Sequence, residues 1–286
     1  MGLSGAQTIQ FEEDFAERLQ QRLNEPNVWK EVCEVQYSDT KNLHWPYLAD
    51  ETISTTGTRS SPYTYQALSE TDESLEINRE AISARFLHEA DRAQKGYVEM
   101  MDIADRMARQ IDESIETTLW QQYSGWDVFD GVDIGGAAGS ITVSLTNIDD
   151  IIRNVTKLIY TAKGGELLAQ HGGFFVWKPG DFEKLQAFYQ ANGFNTADEV
   201  LRNGVRFGFT REGYTHYVSN RIPAGFAFAG VKKQIKVGVL KSTYGNLMVD
   251  SKDPGSLRGT GLRLAADWGV KTFNFAKSIL FQVAVA

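Results

Sequence analysis

The segment THYVSNRIPAGFAFAG at 215–230 brings four residues of types used in catalysis within six positions: His216, Ser219, Asn220 and Arg221. A histidine and a serine in contact can form a base and its nucleophile. Side chains alternate along a β-strand, however, so residues three apart point to opposite faces. A regular strand therefore keeps His216 and Ser219 apart, and the alternating phenylalanines that follow are typical of a sheet.

A glycine-rich stretch at 125–140, GWDVFDGVDIGGAAGS, could be mistaken for a phosphate or calcium loop. A phosphate-binding loop needs a lysine after its second glycine, where this chain has Ala137. Its aspartates are spaced by three rather than two, and Ala138 occupies the position of the glutamate that closes a calcium loop. We interpret the stretch as a joint between subdomains.

Other patterns that carry chemistry are absent from the sequence. The four histidines show no HExxH spacing, no serine lies in a GxSxG elbow, and no carboxylate pair stands out from helix-surface charge. The single cysteine, Cys33, excludes an internal disulfide and is predicted to be a small buried residue. The sequence thus predicts no catalytic, cofactor-binding or metal-ligating residue and no cofactor, and it favours a protein that is not an enzyme.

Size and composition indicate a globular protein. The 286 residues are 42% hydrophobic and can bury a sizeable core as one large domain or two medium ones. The sequence contains no run of 18 apolar residues, so it predicts no membrane helix, and its start shows no signal peptide. We expect no membrane partner.

Charge is distributed unevenly along the chain. Residues 1–120 carry 11 lysines and arginines against 23 aspartates and glutamates, a net charge of −12. Residues 200–286 carry 13 basic against 4 acidic residues, a net charge of +9. Two interpretations remain open, namely ordinary solvated faces and complementary surfaces that meet between copies of the chain.

The elements that would position any site begin with an amphipathic helix at 8–24 and an alternating strand at 28–37. Residues 50–71 hold six threonines and four serines without periodicity, which is uncommon in a compact domain unless the loop has a function. A disordered insertion is one alternative there. Tyr63 and Tyr65 favour the other, a segment that packs as a two-stranded ribbon.

The longest predicted helix spans 91–120, roughly 45 Å at 1.5 Å per residue. Its apolar residues recur in steps of three and four along one stripe. The stripe comprises Ala93, Tyr97, Met100, Met101, Ala104, Met107, Ala108, Ile111, Ile115 and Leu119.

Helices and strands alternate irregularly in the rest of the chain. We predict a second helix from Thr146 to Gly164-Gly165, a strand at 173–179, a helix at 181–193 and a short helix at 197–204. From residue 205 onward we predict only strands and turns. The order does not follow a regular βαβ pattern, so the predicted fold class is α+β.

This order of parts resembles the tailed-phage major capsid protein fold, which encapsulin shells and herpesvirus capsid floors share. The local likeness is strongest in LEINREAISARFLHEADRAQKGYVEMMDIADRMARQID (75–112), where a strand leaves an extended loop and leads into a long spine helix. The segment ADEVLRNGVRFGFTREGYTHYVSNRIPAGFAFAG (197–230) is similar to the stretch that returns from the axial to the peripheral domain. The resemblance covers most of the chain and rests on the order of parts.

The resemblance implies a division of the chain into named parts. Residues 1–27 would be the N-terminal arm, 41–74 the extended loop and 91–120 the spine helix. The peripheral domain would comprise 28–40, 75–134 and 234–272, and the axial domain 135–233 and 273–286. Lys41 is the only lysine of the loop and lies at its base, so the sequence does not predict covalent cross-linking of a shell.

The function implied by the resemblance is a major capsid protein that self-assembles, through pentamers and hexamers, into an icosahedral shell around double-stranded DNA of a tailed bacteriophage. Its location would be the virion capsid, with assembly in the host cytoplasm. A scaffold would be a separate protein, because no long scaffolding segment precedes the arm; the other partners would be a portal and a decoration protein. Two alternatives stay open: an encapsulin-like shell around an enzyme cargo, and an unrecognised α+β enzyme.

Overall fold

The computed structural model describes residues 27–48, 70–88, 98–191, 209–211, 213–244, 247–250 and 259–286. Helices and strands are mixed within these ranges, which confirms the predicted α+β class. The predicted helices at 8–24 and 197–204 lie outside the described residues. So do most of the extended loop, including Tyr63 and Tyr65, and the predicted start of the spine helix.

Within the described ranges the helices are α1 (Trp29–Val32), α2 (Val98–Trp120), α3 (Ile148–Thr161), α4 (Gly165–His171) and α5 (Pro179–Ala191). The strands are β1 (Glu34–Ser38), β2 (Asn42–Leu48), β3 (Glu70–Glu76), β4 (Arg79–His88), β5 (Asp127–Phe129), β6 (Gly173–Trp177), β7 (Phe209–Arg211), β8 (Tyr214–Val218), β9 (Phe226–Val231), β10 (Ile235–Leu240), β11 (Leu247–Asp250), β12 (Gly259–Thr272) and β13 (Leu280–Ala284). Two 3₁₀ turns occupy Gly131–Ile134 and Asn274–Ile279.

A six-stranded sheet with the order β5-β13-β9-β6-β8-β7 separates two hydrophobic cores. Along β6, Phe174 and Val176 face one core, while Phe175 and Trp177 face the other. Because both faces of this strand are covered, its sequence GFFVW is apolar throughout and does not alternate. The strand predicted at 173–179 is therefore confirmed, and the next helix begins at Pro179.

The helical core lies between the six-stranded sheet and helices α3 and α5. Buried residues of α3 recur in steps of three and four, among them Ile148, Ile152, Val155 and Ile159. This confirms the predicted second helix. It ends at Thr161, three residues before the predicted glycines, and the short helix α4, which the sequence analysis did not predict, follows at Gly165.

The spine core lies on the opposite face of the six-stranded sheet and contains α2. Met107, Ile111, Ile115 and Leu119 are buried there at intervals of four, which confirms the predicted stripe from Met107 onward. The predicted positions Ala93, Tyr97, Met100 and Met101 lie outside the described side chains. Ala108 is exposed, so its place in the stripe was wrong, because it lies about 100° around the helix from Met107.

The five-stranded sheet closes the other side of the spine core. Its long strand β12 pairs with β4 along one edge and with β10 and β11 along the other. Alternate residues of β12, from Leu262 to Trp268, are buried in the spine core. The strands predicted in KQIKVGVLK, GLRLAADWGV and SILFQVAV are confirmed as β10, β12 and β13.

Two predictions about local structure were wrong. The strand predicted at 28–37 begins only at Glu34, because Val28, Trp29 and Val32 occupy one buried face of the helical turn α1. The segment after residue 205 contains the 3₁₀ turn Asn274–Ile279 as well as strands. Ala276 and Ile279 are buried there at a spacing of three, which matches the three-residue repeat of a 3₁₀ turn.

Candidate functional site

His216 lies in the middle of β8 and is fully buried. Its ring stacks on Phe175 with ring centroids 5.3 Å apart, and its Nδ1 accepts a hydrogen bond from Trp177 Nε1 at 3.1 Å. Nδ1 must be unprotonated to accept this bond, so the ring contributes packing and an acceptor to the helical core. The structure places His216 within the sheet rather than at a cleft.

Ser219 follows the end of β8, and its hydroxyl has a different partner. Its Oγ donates a hydrogen bond to Glu116 Oε1 at 3.1 Å and accepts one from the backbone N–H of Arg221 at 3.2 Å. His216 bonds with Trp177 on the side of the helical core, whereas Ser219 bonds with the spine helix. The structure does not bring the two residues together as a nucleophile and its base.

Glu116 lies on α2 and is fully buried, at 0% exposure. Its Oε1 also accepts from Trp120 Nε1 at 3.2 Å. Its Oε2 accepts from the backbone N–H of Val28 at 2.9 Å and from Arg221 Nη1 at 3.2 Å. Four donors therefore surround this carboxylate, which compensates for the cost of removing its charge from water.

Arg221 connects Glu116 to the segment that precedes α1. Its Nη1 donates to Asn27 Oδ1 at 3.0 Å, and its Nη2 donates to Glu113 Oε1 at 3.0 Å. The guanidinium thus bridges two carboxylates of α2 and the side chain of Asn27. Its planar, forked set of donors suits this arrangement better than a lysine would.

Asp112 extends the network by one helical turn. Its Oδ2 accepts from Lys30 Nζ at 2.7 Å, and its Oδ1 accepts from Tyr244 Oη at 2.9 Å. Burial alone would lower the pKa of Lys30, but the hydrogen bonds to Asp112 and Tyr244 leave that pKa above its usual value. Burial raises the pKa of Tyr244.

We call this network the arm anchor: Asp112, Glu113 and Glu116 of α2 with Asn27, Val28, Lys30, Ser219, Arg221 and Tyr244. It holds residues 27–30 against the spine helix at the point where the predicted arm, residues 1–27, joins the described chain. Both oxygens of Glu116 are occupied by protein donors, so its role is positional. Its burial was not predicted, because its partners Val28 and Arg221 are distant in the sequence.

The second feature is a two-stranded ribbon formed by β2 and β3. Antiparallel pairing runs from Asn42↔Glu76 to Leu48↔Glu70. These strands flank the range 50–71 in which a ribbon was predicted, and that range lies outside the described residues except for residues 70 and 71. In the middle of the described ribbon, His44 Nδ1 and Asp72 Oδ2 form an exposed pair at 2.6 Å.

The base of the ribbon rests on the five-stranded sheet. Leu43 and Leu75 form a small buried cluster with Ile77 and Leu240. Lys271 Nζ donates to the carbonyl oxygen of Ser74 at 2.6 Å. The buried Glu73 accepts from the backbone N–H of Asn274 at 3.2 Å, so polar and apolar contacts both fix the base.

The glycine-rich stretch folds onto its own aspartates. Asp130 accepts hydrogen bonds from the backbone N–H of Val132 at 2.9 Å and of Gly139 at 3.4 Å. Asp133 accepts from the backbone N–H of Asp130 at 3.0 Å. These carboxylates stabilise the turn itself, and no cluster of three or more potential metal ligands occurs in the described ranges.

The cysteine and the hydropathy of the helices can be compared with what the composition predicted. Cys33 is buried, as predicted, and burial raises the pKa of its thiol well above the usual value. Among the described helices, none combines the length and the hydropathy that a membrane span requires.

Comparison with solved structures identifies the fold. The chain aligns with a protein of Mycobacterium phage Che8 with a TM-score of 0.66 and 14% identity, covering 96% of this chain and 97% of that one. It aligns with the capsid of Ralstonia phage GP4 with a TM-score of 0.64 and 9% identity, covering 100% and 98%. The capsid of a native GTA particle gives 0.63 and 10% identity, covering all of both chains.

Comparisons at the level of sequence find no relative. No family model matches the chain, and no curated protein matches it. At identities this low the structural matches establish the fold, which is that of tailed-phage major capsid proteins, as the resemblance predicted.

Proposed function

We propose that this chain is a structural major capsid protein that self-assembles into an icosahedral shell enclosing the double-stranded DNA of a tailed bacteriophage. The observation that carries the proposal is the end-to-end match in fold to phage capsid structures, over 96–100% of this chain. Such a match leaves no unexplained region large enough for a separate catalytic domain. We therefore assign the chain a structural role and no enzymatic one.

The ribbon supports a role in contacts between subunits. An isolated two-stranded ribbon is at best marginally stable in water, and three or more strands or a packing partner are needed for independent stability. One face of the described ribbon, with Glu73 and Leu75, has such a partner in the five-stranded sheet, whereas Asp72, Ser74 and Glu76 on the other face are exposed. We assign the stretch 41–74 to contacts with a neighbouring copy, where burial would stabilise it.

The arm anchor supports a similar role for residues 1–27. It fixes residues 27–30 on α2, so each copy would send its arm out from the same place and in the same direction. Closed ring symmetry requires that every subunit present the same contacts in the same geometry. Complementary charge, with −12 over residues 1–120 and +9 over 200–286, would favour contacts between unlike parts of neighbouring copies.

The proposal extends to the parts of the chain and to its partners. We assign 28–40, 75–134 and 234–272 to a peripheral domain and 135–233 with 273–286 to an axial domain. We expect assembly in the host cytoplasm, with a separate scaffold protein, a portal and a decoration protein as partners. DNA would be enclosed without sequence-specific binding.

Electron microscopy of the purified protein tests the proposal directly. The chain, alone or with a scaffold protein, should form closed hollow particles of uniform diameter. A monodisperse monomer under every salt and scaffold condition would contradict it.

Free subunits provide a second test, because DNA affinity depends on neutralising phosphates with basic residues. The acidic residues 1–120 cannot do this as a basic arm would. Subunits at micromolar concentration and physiological salt should therefore leave the gel mobility of duplex DNA unchanged. A salt-sensitive shift would indicate that the shell protein itself binds DNA.

A further inference from the structure

Two glycines lie directly opposite each other on the face of the five-stranded sheet that is turned away from α2. Gly238 of β10 pairs with Gly269 of β12. The neighbouring residues Val237, Val239 and Trp268 point into the spine core on the other face. The glycine pair therefore forms a shallow notch on the face against which the ribbon rests.

The ribbon fills this notch closely. A Cβ atom added to Gly238 would lie 2.6 Å from Leu43 Cδ1 and 2.8 Å from Leu75 Cδ2. A Cβ atom on Gly269 would lie 3.0 Å from the carbonyl carbon of Glu76 and closer still to its oxygen. Side-chain tips oppose the first position, whereas the ribbon backbone itself opposes the second.

Space, rather than backbone conformation, accounts for glycine at these two positions. Neither residue has the positive φ that favours glycine, unlike Gly225 or Gly230. Glycine inside a strand weakens it and commonly marks a place where another backbone approaches closely. Here that backbone is the end of β3 at Glu76.

We propose that Gly238 and Gly269 form a ribbon seat, which sets the direction in which the ribbon leaves the subunit and so positions it for contact with the next copy. The inference rests on the proposed shell function for its last step only. Lys271 and the backbone N–H of Asn274 hold the ribbon strand β3 beside the seat, so we expect a methyl group in the notch to tilt the ribbon rather than slide it. Gly238 and Gly269 are positioning residues, because they act through the ribbon.

The direction of the ribbon can be measured without assembly. Spin labels on Ser74→Cys in the ribbon and Lys157→Cys on α3 report the distance between the two elements, and the buried Cys33 remains unlabelled. Gly269→Ala should shift this distance distribution while the subunit keeps its helical circular dichroism and a cooperative melt. Gly180→Ala is the matched control, because a Cβ there meets no atom within 4 Å, and its distribution should coincide with that of the parent.

Rescue distinguishes a seat from a general loss of stability. Gly238→Ala should give a smaller shift than Gly269→Ala, and Leu43→Ala should reduce that shift by removing the nearer of the two side-chain tips that the new methyl group meets. The same Leu43→Ala change should not rescue Gly269→Ala, because the ribbon backbone remains in the way. Equal rescue of Gly238→Ala and Gly269→Ala would contradict the proposed ribbon seat. An unchanged distribution of spin-label distances in Gly269→Ala would contradict it as well.

Assembly supplies the final readout. The yield of closed particles should fall at least tenfold for Gly269→Ala, remain unchanged for Gly180→Ala, and recover with the rescued Gly238→Ala double variant. A tilted ribbon with a normal yield and diameter of particles would refute the positioning role. If the parent chain forms no particles at all, the proposed function fails, while the distance measurements still decide whether the seat directs the ribbon.

Discussion

The six-stranded sheet with its helices and the two-stranded ribbon differ in where their side chains find partners. Both faces of the sheet are covered, so that Phe228 packs on Trp120 of the spine helix while its neighbour Ala229 faces the helical core. The described part of the ribbon buries one face, with Leu43, Glu73 and Leu75, and exposes the other. The sheet is therefore stabilised on both faces within one subunit, whereas the described part of the ribbon is covered by the five-stranded sheet on one face only.

The largest expected effect comes from a charge placed in the spine core. Ile111→Asp would bury an unpaired carboxylate at a position that is 4% exposed, at a cost of several kcal/mol. We expect insoluble or unfolded protein, measured by soluble yield and circular dichroism. Gln110→Asp, the exposed neighbouring position on the same helix, should remain soluble and fold normally; soluble, assembling Ile111→Asp protein would show that another face of α2 is buried.

Replacing one aromatic residue by alanine in the six-stranded sheet and one in the ribbon compares how much each region contributes to the free energy of unfolding. Phe228→Ala removes a fully buried ring that contacts Trp120, Tyr123 and Trp126, and should lower the free energy of unfolding by about 3–5 kcal/mol. Trp45→Ala in the ribbon removes a half-buried ring that meets Phe273, so its cost should be clearly smaller. Denaturant unfolding measures both, and equal costs would contradict the contrast between sheet and ribbon.

Disrupting the arm anchor should have an intermediate effect on the free energy of unfolding. Arg221→Met leaves Glu116 buried without its charged partner, which should lower the free energy of unfolding by about 3 kcal/mol. A double variant with Glu116→Gln should lose less than the sum of the two single changes. Proteolysis near residue 27 should also accelerate in Arg221→Met.

Lys241→Met provides the control for that prediction. Its ion pair with Asp39, at 3.4 Å, is exposed, so the change should cost no more than about 1 kcal/mol. If Arg221→Met were as mild as Lys241→Met, the network would not anchor residues 27–30.

The smallest effect on stability is expected from the ribbon itself. Replacing 52–69 with a short Gly-Ser turn should change the free energy of unfolding by less than about 1 kcal/mol, because loop closure depends only logarithmically on length. The same variant should fail to form closed particles, as seen by electron microscopy. If this variant still formed intact particles, residues 52–69 would not be needed for the contacts between subunits.

The parts that could be predicted from the sequence are those whose pattern is local. A repeat of three and four residues marked the buried stripe of α2, and the apolar run of β6 marked a strand covered on both sides. At 28–33 the same apolar residues fit a strand or a helical turn, and packing against α2 selected the turn. Periodicity alone cannot make that choice.

The arm anchor and the ribbon seat could not be predicted because their partners are distant in the sequence. Arg221 and Glu116 are separated by 105 positions, and Val28 and Glu116 by 88. A glutamate in a helix is usually solvated, and a glycine in a strand shows nothing about what approaches it. Only the tertiary arrangement shows that Glu116 is buried or that Glu76 lies over Gly269.

The position of β12 and β13 in chain order has a consequence for how the protein is made. β12 pairs with β4 across more than 170 residues, from Gly259↔His88 to Trp268↔Arg79, and β13 lies between β5 and β9. Contacts between residues so far apart make folding slow. Neither sheet can close until residues 259–284 have left the ribosome, so a nascent chain cannot present a finished subunit. In the proposed shell, particles would therefore grow from completed chains.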